Sequence, residues 1–141
     1  VIVLELIEIK GDLFTTEPEN YLVHCIARDC QLGRGIAVEF QKRFNLRKQL
    51  KAHKAIKHSN CILIGKVFNL ITKELSYEKP TYNSMAVSLN ELRKQVIAEE
   101  IKHLAIPKIG CGLDGLNWEL VKNTLYEQLG DLDIGIKVYY L

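Results

Sequence analysis

Apolar and polar residues alternate through Val1–Lys10 (VIVLELIEIK), a period-2 spacing that predicts a first strand. The polar stretch TTEPEN follows as a loop, and Tyr21–Ala27 reads as a short, largely apolar second strand. RDCQLGRG predicts a loop that opens a helix over IAVEFQKRF, and a second helical stretch runs from Leu46 to Lys57. Cys61–Ile64 and Val67–Thr72 predict two buried strands with a turn at Gly65. After KPTY comes the longest helical pattern, Ser84 to Lys102. There Val87, Leu89, Leu92, Val96 and Ile97 recur at helical spacing, with Pro80 upstream as a start signal. His103–Ile106 is a short strand, followed by a glycine loop over Gly110–Gly115. Asn117 caps a last helix whose first turn holds Glu119, Gly130 closes it, and Ile134–Leu141 forms a terminal strand. Strands alternating with helices predict an α/β sandwich around a mostly parallel or mixed sheet. No repeat or linker interrupts the pattern, so one domain over 1–141 is expected.

Composition narrows this picture. Apolar residues make up 48% of the chain, which excludes a disordered or low-complexity class. No run reaches the roughly 18 apolar residues of a membrane span, so no membrane partner is expected. Two glutamates in the opening decapeptide argue against a signal-peptide core. The chain does not begin with Met, so a few preceding residues are expected to be missing. The four cysteines, Cys25, Cys30, Cys61 and Cys111, form no CxxC pair. They predict reduced, mostly buried thiols and a cytoplasmic location, or a nuclear one in a eukaryotic source. His24, Cys25 and Cys30 are metal-ligand types, but adjacent strand residues point to opposite faces, so no metal site is expected there.

Charge is uneven although the net value is only +2. Between Glu39 and Glu74 there is no acidic residue, while nine basic ones occur: Lys42, Arg43, Arg47, Lys48, Lys51, Lys54, Lys57, Lys66 and Lys73. Two readings stand side by side: a solvated helix face, or a positive surface that attracts a phosphate-rich substrate or nucleic acid.

In an open α/β sheet, ligands bind at the carboxyl ends of strands, where loops lead into helices. Gly11-Asp12, Gly33-Arg34-Gly35 and Gly110–Gly115 all fall at such places. Glycine loops let backbone N–H groups cradle phosphate oxygens, with a helix N-terminus behind them. Neither of the last two matches the dinucleotide or Walker patterns. Taken together with Asp12, they predict a phosphate or nucleotide pocket. Asp12 reads either as a turn former that bonds its own backbone or as an acceptor for an exocyclic amine. Lys73 closes an apolar strand, where a snorkelling edge lysine is the plain alternative, and Asp114 would otherwise cap a turn beside Gly115.

The stretches IKGDLF, HCIARDCQLGRGIAVEF, LITK, KPTYNS and IPKIGCGLDGLNWE, in this order and spacing, resemble the macrodomain family. ITK followed by GCGLD resembles its terminal ADP-ribose protein glycohydrolase branch. The resemblance covers nearly the whole chain and implies a three-layer α/β/α sandwich with a central mixed sheet of about six strands. It implies that Asp12 meets the adenine amino group beside the Leu13 backbone. Gly33, Gly35, Ile36 and Ala37 would line the distal ribose and phosphates. Gly110, Cys111, Gly112 and Leu113 would form the second phosphate loop, and Thr72, Pro107 and Ile109 would complete the ligand-binding set. Lys73 would attack the anomeric carbon of the distal ribose, with Asp114 as acid/base partner. A close relative carries serine near Ala27, so this chain lacks a hydroxyl contact from that position. Neither a cofactor nor a metal is implied, and a monomer is expected.

The resulting expectation is a hydrolase that releases ADP-ribose from acidic protein side chains or from nucleobases, with O-acetyl-ADP-ribose as a further family substrate. A link to DNA damage goes with the nucleobase option. Two other classes stay open from the residues alone: a module that binds ADP-ribose without cleaving it, and a basic nucleic-acid-binding domain.

Overall fold

The computed structural model describes residues 3–141; the part of the first predicted strand at Val1 and Ile2 lies outside the described residues. Six strands form one sheet: β1 (Glu5–Lys10), β2 (Tyr21–Ala27), β3 (Cys61–Ile64), β4 (Val67–Lys73), β5 (His103–Ile106) and β6 (Gly135–Tyr140). Four helices pack on it: α1 (Ile36–Phe44), α2 (Leu46–Lys51), α3 (Tyr82–Ala98) and α4 (Trp118–Leu129). The strand order is β1-β6-β5-β2-β4-β3. All neighbours pair parallel except β3 and β4, a tight antiparallel hairpin in which Gly65 takes a φ of +58°. The sheet is therefore mixed, and the fold is the α/β/α sandwich expected.

Strand alternation divides the core into two layers. Val23, Phe68, Leu70, Leu104, Ile106, Ile136 and Val138 point to one face, under Met85, Leu89 and Leu92 of α3 and Val121, Leu125 and Leu129 of α4. Leu22, Ile26, Val67, Ile71 and Ala105 point to the other, under Phe40 of α1 and Leu46 and Leu50 of α2. The central strands are apolar on both faces, as strands covered on both sides must be. β1, at the edge, is held to α4 through Glu8, which accepts from Trp118 Nε1 at 3.1 Å and from Lys122 Nζ at 2.9 Å.

Three helix boundaries differ from the sequence-based expectation. α2 stops at Lys51 rather than Lys57. Beyond it the chain goes into turns, with Ala55 N–H donating to the His53 ring at 3.1 Å and Arg28 drawing in the carbonyls of Ile56 and Ser59 at 2.8 Å. α3 begins at Tyr82 because Thr81 and Ser84 form a reciprocal capping box. It ends at Ala98, where Glu100 turns left-handed (φ 54°) and Ile101 N–H closes on the Val96 carbonyl at 3.0 Å. On α3 the buried face is Met85, Ser88, Leu89, Leu92 and Val96, whereas Val87 and Ile97, expected with them, are exposed. Among the described residues no helix is long and apolar enough to cross a membrane.

His24 lies inside the α1/α2 layer, fully buried and stacked on Phe40 with ring centroids 3.9 Å apart. Its Nε2 is 2.6 Å from Asn69 Oδ1, while the Asn69 amide nitrogen donates to the Ile62 and Val67 carbonyls. Nε2 therefore carries the proton and donates; Nδ1 has no partner among the described residues. Burial, opposed by the Asn69 hydrogen bond, brings the imidazole pKa down to about 4 from an ordinary 6.5. Since the folded state resists protonation, the unfolded chain takes up this proton first as pH falls below 6.5. Stability is then full above about pH 6.5 and declines toward pH 4, with roughly 2 kcal/mol lost between pH 7 and pH 5. His24→Gln keeps a donor toward Asn69 without an imidazole to titrate. Urea unfolding at pH 7 and pH 5 should show the variant losing less stability than the wild type by about that amount.

Candidate active site

The carboxyl ends of β2, β4 and β5 open into a cleft of about 630 Å³. A second hollow of about 450 Å³ joins it, sharing Ile36, Pro107, Tyr139 and Tyr140, and reaches the end of β1. The combined shape is elongated, with glycine loops along the larger part and Asp12 in the smaller.

At the β1 end, Asp12 does what its turn-forming chemistry predicts: Oδ1 accepts from Phe14 N–H at 2.9 Å, starting a single 3-10 turn over Leu13–Thr15. Asp12 is exposed and lines the smaller hollow with Leu13, Phe14 and Arg43, whose guanidinium lies 4.5 Å above the Phe14 ring. Its Oδ2 accepts no hydrogen bond from the described residues, so turn formation leaves one carboxylate oxygen for a ligand donor.

The first glycine loop ends at Gly35, whose φ of 59° and ψ of −147° suit glycine alone. The first N–H groups of α1 lack intrahelical acceptors, as at every helix start, and here they border the cleft at Ile36 and Ala37. Just upstream, Cys30 and Leu32 also hold left-handed φ values, 58° and 47°, with both side chains buried. The second loop is closed by its own backbone. Gly115 N–H donates to Gly112 O at 3.1 Å and Leu116 N–H to Gly110 O at 2.8 Å, while Lys79 Nζ holds the Leu113 carbonyl. Gly112, Leu113 and Asp114 make no backbone hydrogen bond through their N–H groups among the described residues. The two loops nearly meet, since a Cβ placed on Gly35 would lie 3.6 Å from Leu113 Cδ1.

Between the loops stands the ion pair. Lys73 Nζ is 2.9 Å from Asp114 Oδ1, with side-chain exposures of 14% and 20%. Lys73 is the last residue of β4, and its pairing with β2 is irregular: Ile26 faces Ile71 but Ala27 faces Lys73, which leaves Thr72 without a partner. Such a bulge re-aims the residues around it.

Thr72, one of the expected ligand-binding residues, lies apart from the others. It is 2% exposed and absent from the cleft wall, and its hydroxyl sits against the Cys25 thiol. Gly33, Gly35, Ile36, Ala37, Pro107, Ile109, Gly110, Cys111, Gly112, Leu113 and Asp114 all border the larger cleft with Lys73. Burial pushes the Cys111 thiol up to about 11 and raises Cys25 further, so both are neutral packing groups near pH 7. Ala27 lines the cleft as well, and brings no hydroxyl there. Sequence reasoning missed Arg34, Tyr77, Lys108, Tyr139 and Tyr140 as lining residues. Arg34 stood inside a recognised motif, whereas the doublet at the end of β6 joins the site only through strand order.

No family model matches the chain. The macrodomain of Thermus aquaticus DarG superposes with a TM-score of 0.80 over 98% of this chain and 99% of that one, at 24% identity. ADP-ribose glycohydrolase OARD1 of Homo sapiens is 38% identical over 138 residues, covering 94% of this chain and 90% of its own length. The chain belongs to the ADP-ribose glycohydrolase branch of the macrodomain family. A DNA ADP-ribosyl glycohydrolase of Mycobacterium tuberculosis is 27% identical over 143 residues, covering 88% of this macrodomain but 39% of that protein.

Two glycines of this macrodomain's second loop should respond differently to a methyl group. At Gly110 φ is +72°, and a Cβ would lie 2.8 Å from Met85 Cε and 2.9 Å from Leu116 Cδ1. At Gly112 a Cβ meets nothing within 4 Å. Gly110→Ala should cost about 1–3 kcal/mol in denaturant unfolding, and Gly112→Ala less than about 0.5 kcal/mol.

Proposed function

We propose that this chain, a single macrodomain over 1–141 acting as a monomer, is an ADP-ribosyl glycohydrolase. It would bind ADP-ribose along the joined cleft and release it from acidic protein side chains or nucleobases. The observation that carries the reading is the 2.9 Å contact of Lys73 with Asp114 between two glycine loops. A module that only held ADP-ribose would have no use for a lysine and a carboxylate paired at that place.

In this reading adenine lies in the smaller hollow, with its amino group donating to Asp12. The diphosphate lies between Gly35–Ala37 and Gly110–Leu113, where the N–H groups of Ile36, Ala37, Gly112 and Leu113 have no backbone partner among the described residues. The anomeric carbon of the distal ribose then comes to Lys73. A lysine is a nucleophile only when neutral. A proton passed along the short bond to Asp114 leaves the Nζ lone pair free. Nζ bonds to the anomeric carbon as the bond to the target oxygen or nitrogen breaks, and the target leaves with that electron pair. The proton on Asp114 goes to the departing target. The restored carboxylate takes a proton from water, whose oxygen displaces Lys73 with its electron pair and yields free ADP-ribose; that proton then returns from Asp114 to Nζ. The same steps fit O-acetyl-ADP-ribose when the acetyl sits on the anomeric oxygen, with acetate as leaving group. The scheme calls on no cofactor.

The two members of the pair should fail differently. Lys73→Ala should lose turnover of ADP-ribosylated protein and DNA while still binding ADP-ribose. Asp114→Ala should slow turnover about 10²- to 10⁴-fold and accumulate chain carrying ADP-ribose on Lys73, visible by intact mass. Full activity in Lys73→Ala, or an adduct mapped to another residue, would rule this chemistry out.

Asp12→Ala removes a charge-assisted hydrogen bond worth roughly 1.5–3 kcal/mol, so ADP-ribose affinity should fall about 10- to 150-fold in calorimetry. An unchanged affinity takes Asp12 out of the adenine site.

A further inference from the structure

Two lysines of one segment reach the tip of the second glycine loop. Lys73, the last residue of β4, meets the Asp114 carboxylate at 2.9 Å. Lys79, further along the same segment, donates from Nζ to the carbonyl of the neighbouring residue, Leu113. The scheme above gives Lys73 a task and leaves Lys79 none.

The tip has no firm hold of its own. Leu116 N–H closes the loop on the Gly110 carbonyl at 2.8 Å, and Gly115 N–H closes it on the Gly112 carbonyl at 3.1 Å. Leu113 and Asp114 lie inside that closure, and neither makes a backbone–backbone hydrogen bond among the described residues. Gly112 and Gly115 flank them, and glycine dihedrals turn at little cost. The Leu113 side chain is 56% exposed, so packing adds little. Two outside ties therefore locate the tip: the Asp114 side chain on Lys73, and the Leu113 carbonyl on Lys79.

Lys79 is built to be a lasting tie. It precedes Pro80, which confines its backbone to extended conformations, and Pro80 is buried. On its other side Glu78 closes a turn onto Leu75, with N–H donating to the Leu75 carbonyl at 3.0 Å and carboxylate accepting from Leu75 N–H at 2.8 Å. Ser76 N–H anchors that turn on Asp29 Oδ2 at 2.8 Å. Lys79 makes no ion pair among the described residues, so no carboxylate draws Nζ away from Leu113.

The tie through Lys73 does not last. Once Nζ bonds to the anomeric carbon, Asp114 has to act elsewhere. In a double displacement at that carbon the target leaves, and water enters, on the face opposite the nucleophile. Asp114 must turn from Nζ toward that face, first to give the target its proton and then to take one from water. Over that interval Lys79 alone holds the tip.

We propose that Lys79 is a positioning residue for the second displacement: its grip on the Leu113 carbonyl keeps the Asp114 backbone in place while the carboxylate serves water. The first displacement starts with the ion pair intact and depends on Lys79 less. This rests on the glycohydrolase reading and adds to it a residue that acts on one of its two steps.

Single-turnover quench experiments on Lys79→Met test it, with enzyme in saturating excess over a glutamate-linked ADP-ribosyl peptide or an ADP-ribosylated oligonucleotide. Release of the target times the first displacement, and release of free ADP-ribose times the second. Lys79 is exposed, so the variant should fold, and calorimetric binding of ADP-ribose checks that it does. Target release should stay within about threefold of wild type, while ADP-ribose release slows roughly 10- to 100-fold. In between, intact mass should show chain carrying ADP-ribose on Lys73. Lys79→Arg keeps the charge and a donor, and should recover the second step without the adduct. Equal slowing of both releases, wild-type rates for both, absence of adduct, or no recovery in Lys79→Arg would each overturn the role of Lys79 and leave the pair chemistry standing. Full activity in Lys73→Ala would overturn that chemistry, and the role of Lys79 with it.

Discussion

Strand order is the constraint on which the rest depends. β2 lies between β4 and β5, so the ends of the two outer strands stand about two inter-strand spacings apart, near 10 Å. A lysine closing β4 and a loop leaving β5 can meet only by leaning over the end of β2. The long stem of Lys73 spans one side and the Gly110–Gly115 loop the other, and their charges join at 2.9 Å. Small residues near the end of β2, Cys25 and Ala27, keep the space beneath open. Larger side chains there would push the two apart.

A pair held this way needs firm supports, and most lie outside the cleft. Arg28 binds Glu74, the neighbour of Lys73, to the turns that follow α2, and Asp29 holds Ser76. Lys79 fastens the far loop by the Leu113 carbonyl. Behind these bonds the two apolar layers fix the strands themselves, with Phe68 and Leu70 of β4 on one side and Val67 and Ile71 on the other. A charged pair at a rim is thus located by a dry sheet and by polar ties that never touch it.

Much of this was legible in the residues. Tyr21–Ala27 and His103–Ile106 appear as read, because short apolar runs bounded by polar loops have few alternatives once helices flank them. The glycine loops were visible as positions that call for unusual backbone. What escaped was set at a distance. α2 stops at Lys51 and the turns after it are drawn in by the guanidinium of Arg28, just past the end of β2, which no local pattern contains. Thr72 withdraws from the cleft because β4 shifts register against β2, a property of two strands together. Tyr139 and Tyr140 reach the site because the last strand of the chain inserts between the first and the fifth.

Cys30 and Leu32 hold left-handed backbone that L-residues avoid, at a cost of order 1 kcal/mol each. Their buried side chains and the Arg47 bond to Gln31 keep the loop in that state. The disorder this loop would otherwise possess is removed when the chain folds, before any anion arrives. A ligand settling on Gly35 and the start of α1, as proposed, would have little conformational entropy left to quench and would meet N–H groups already in place. Strain stored in the resting protein would then become affinity that no additional contact has to supply.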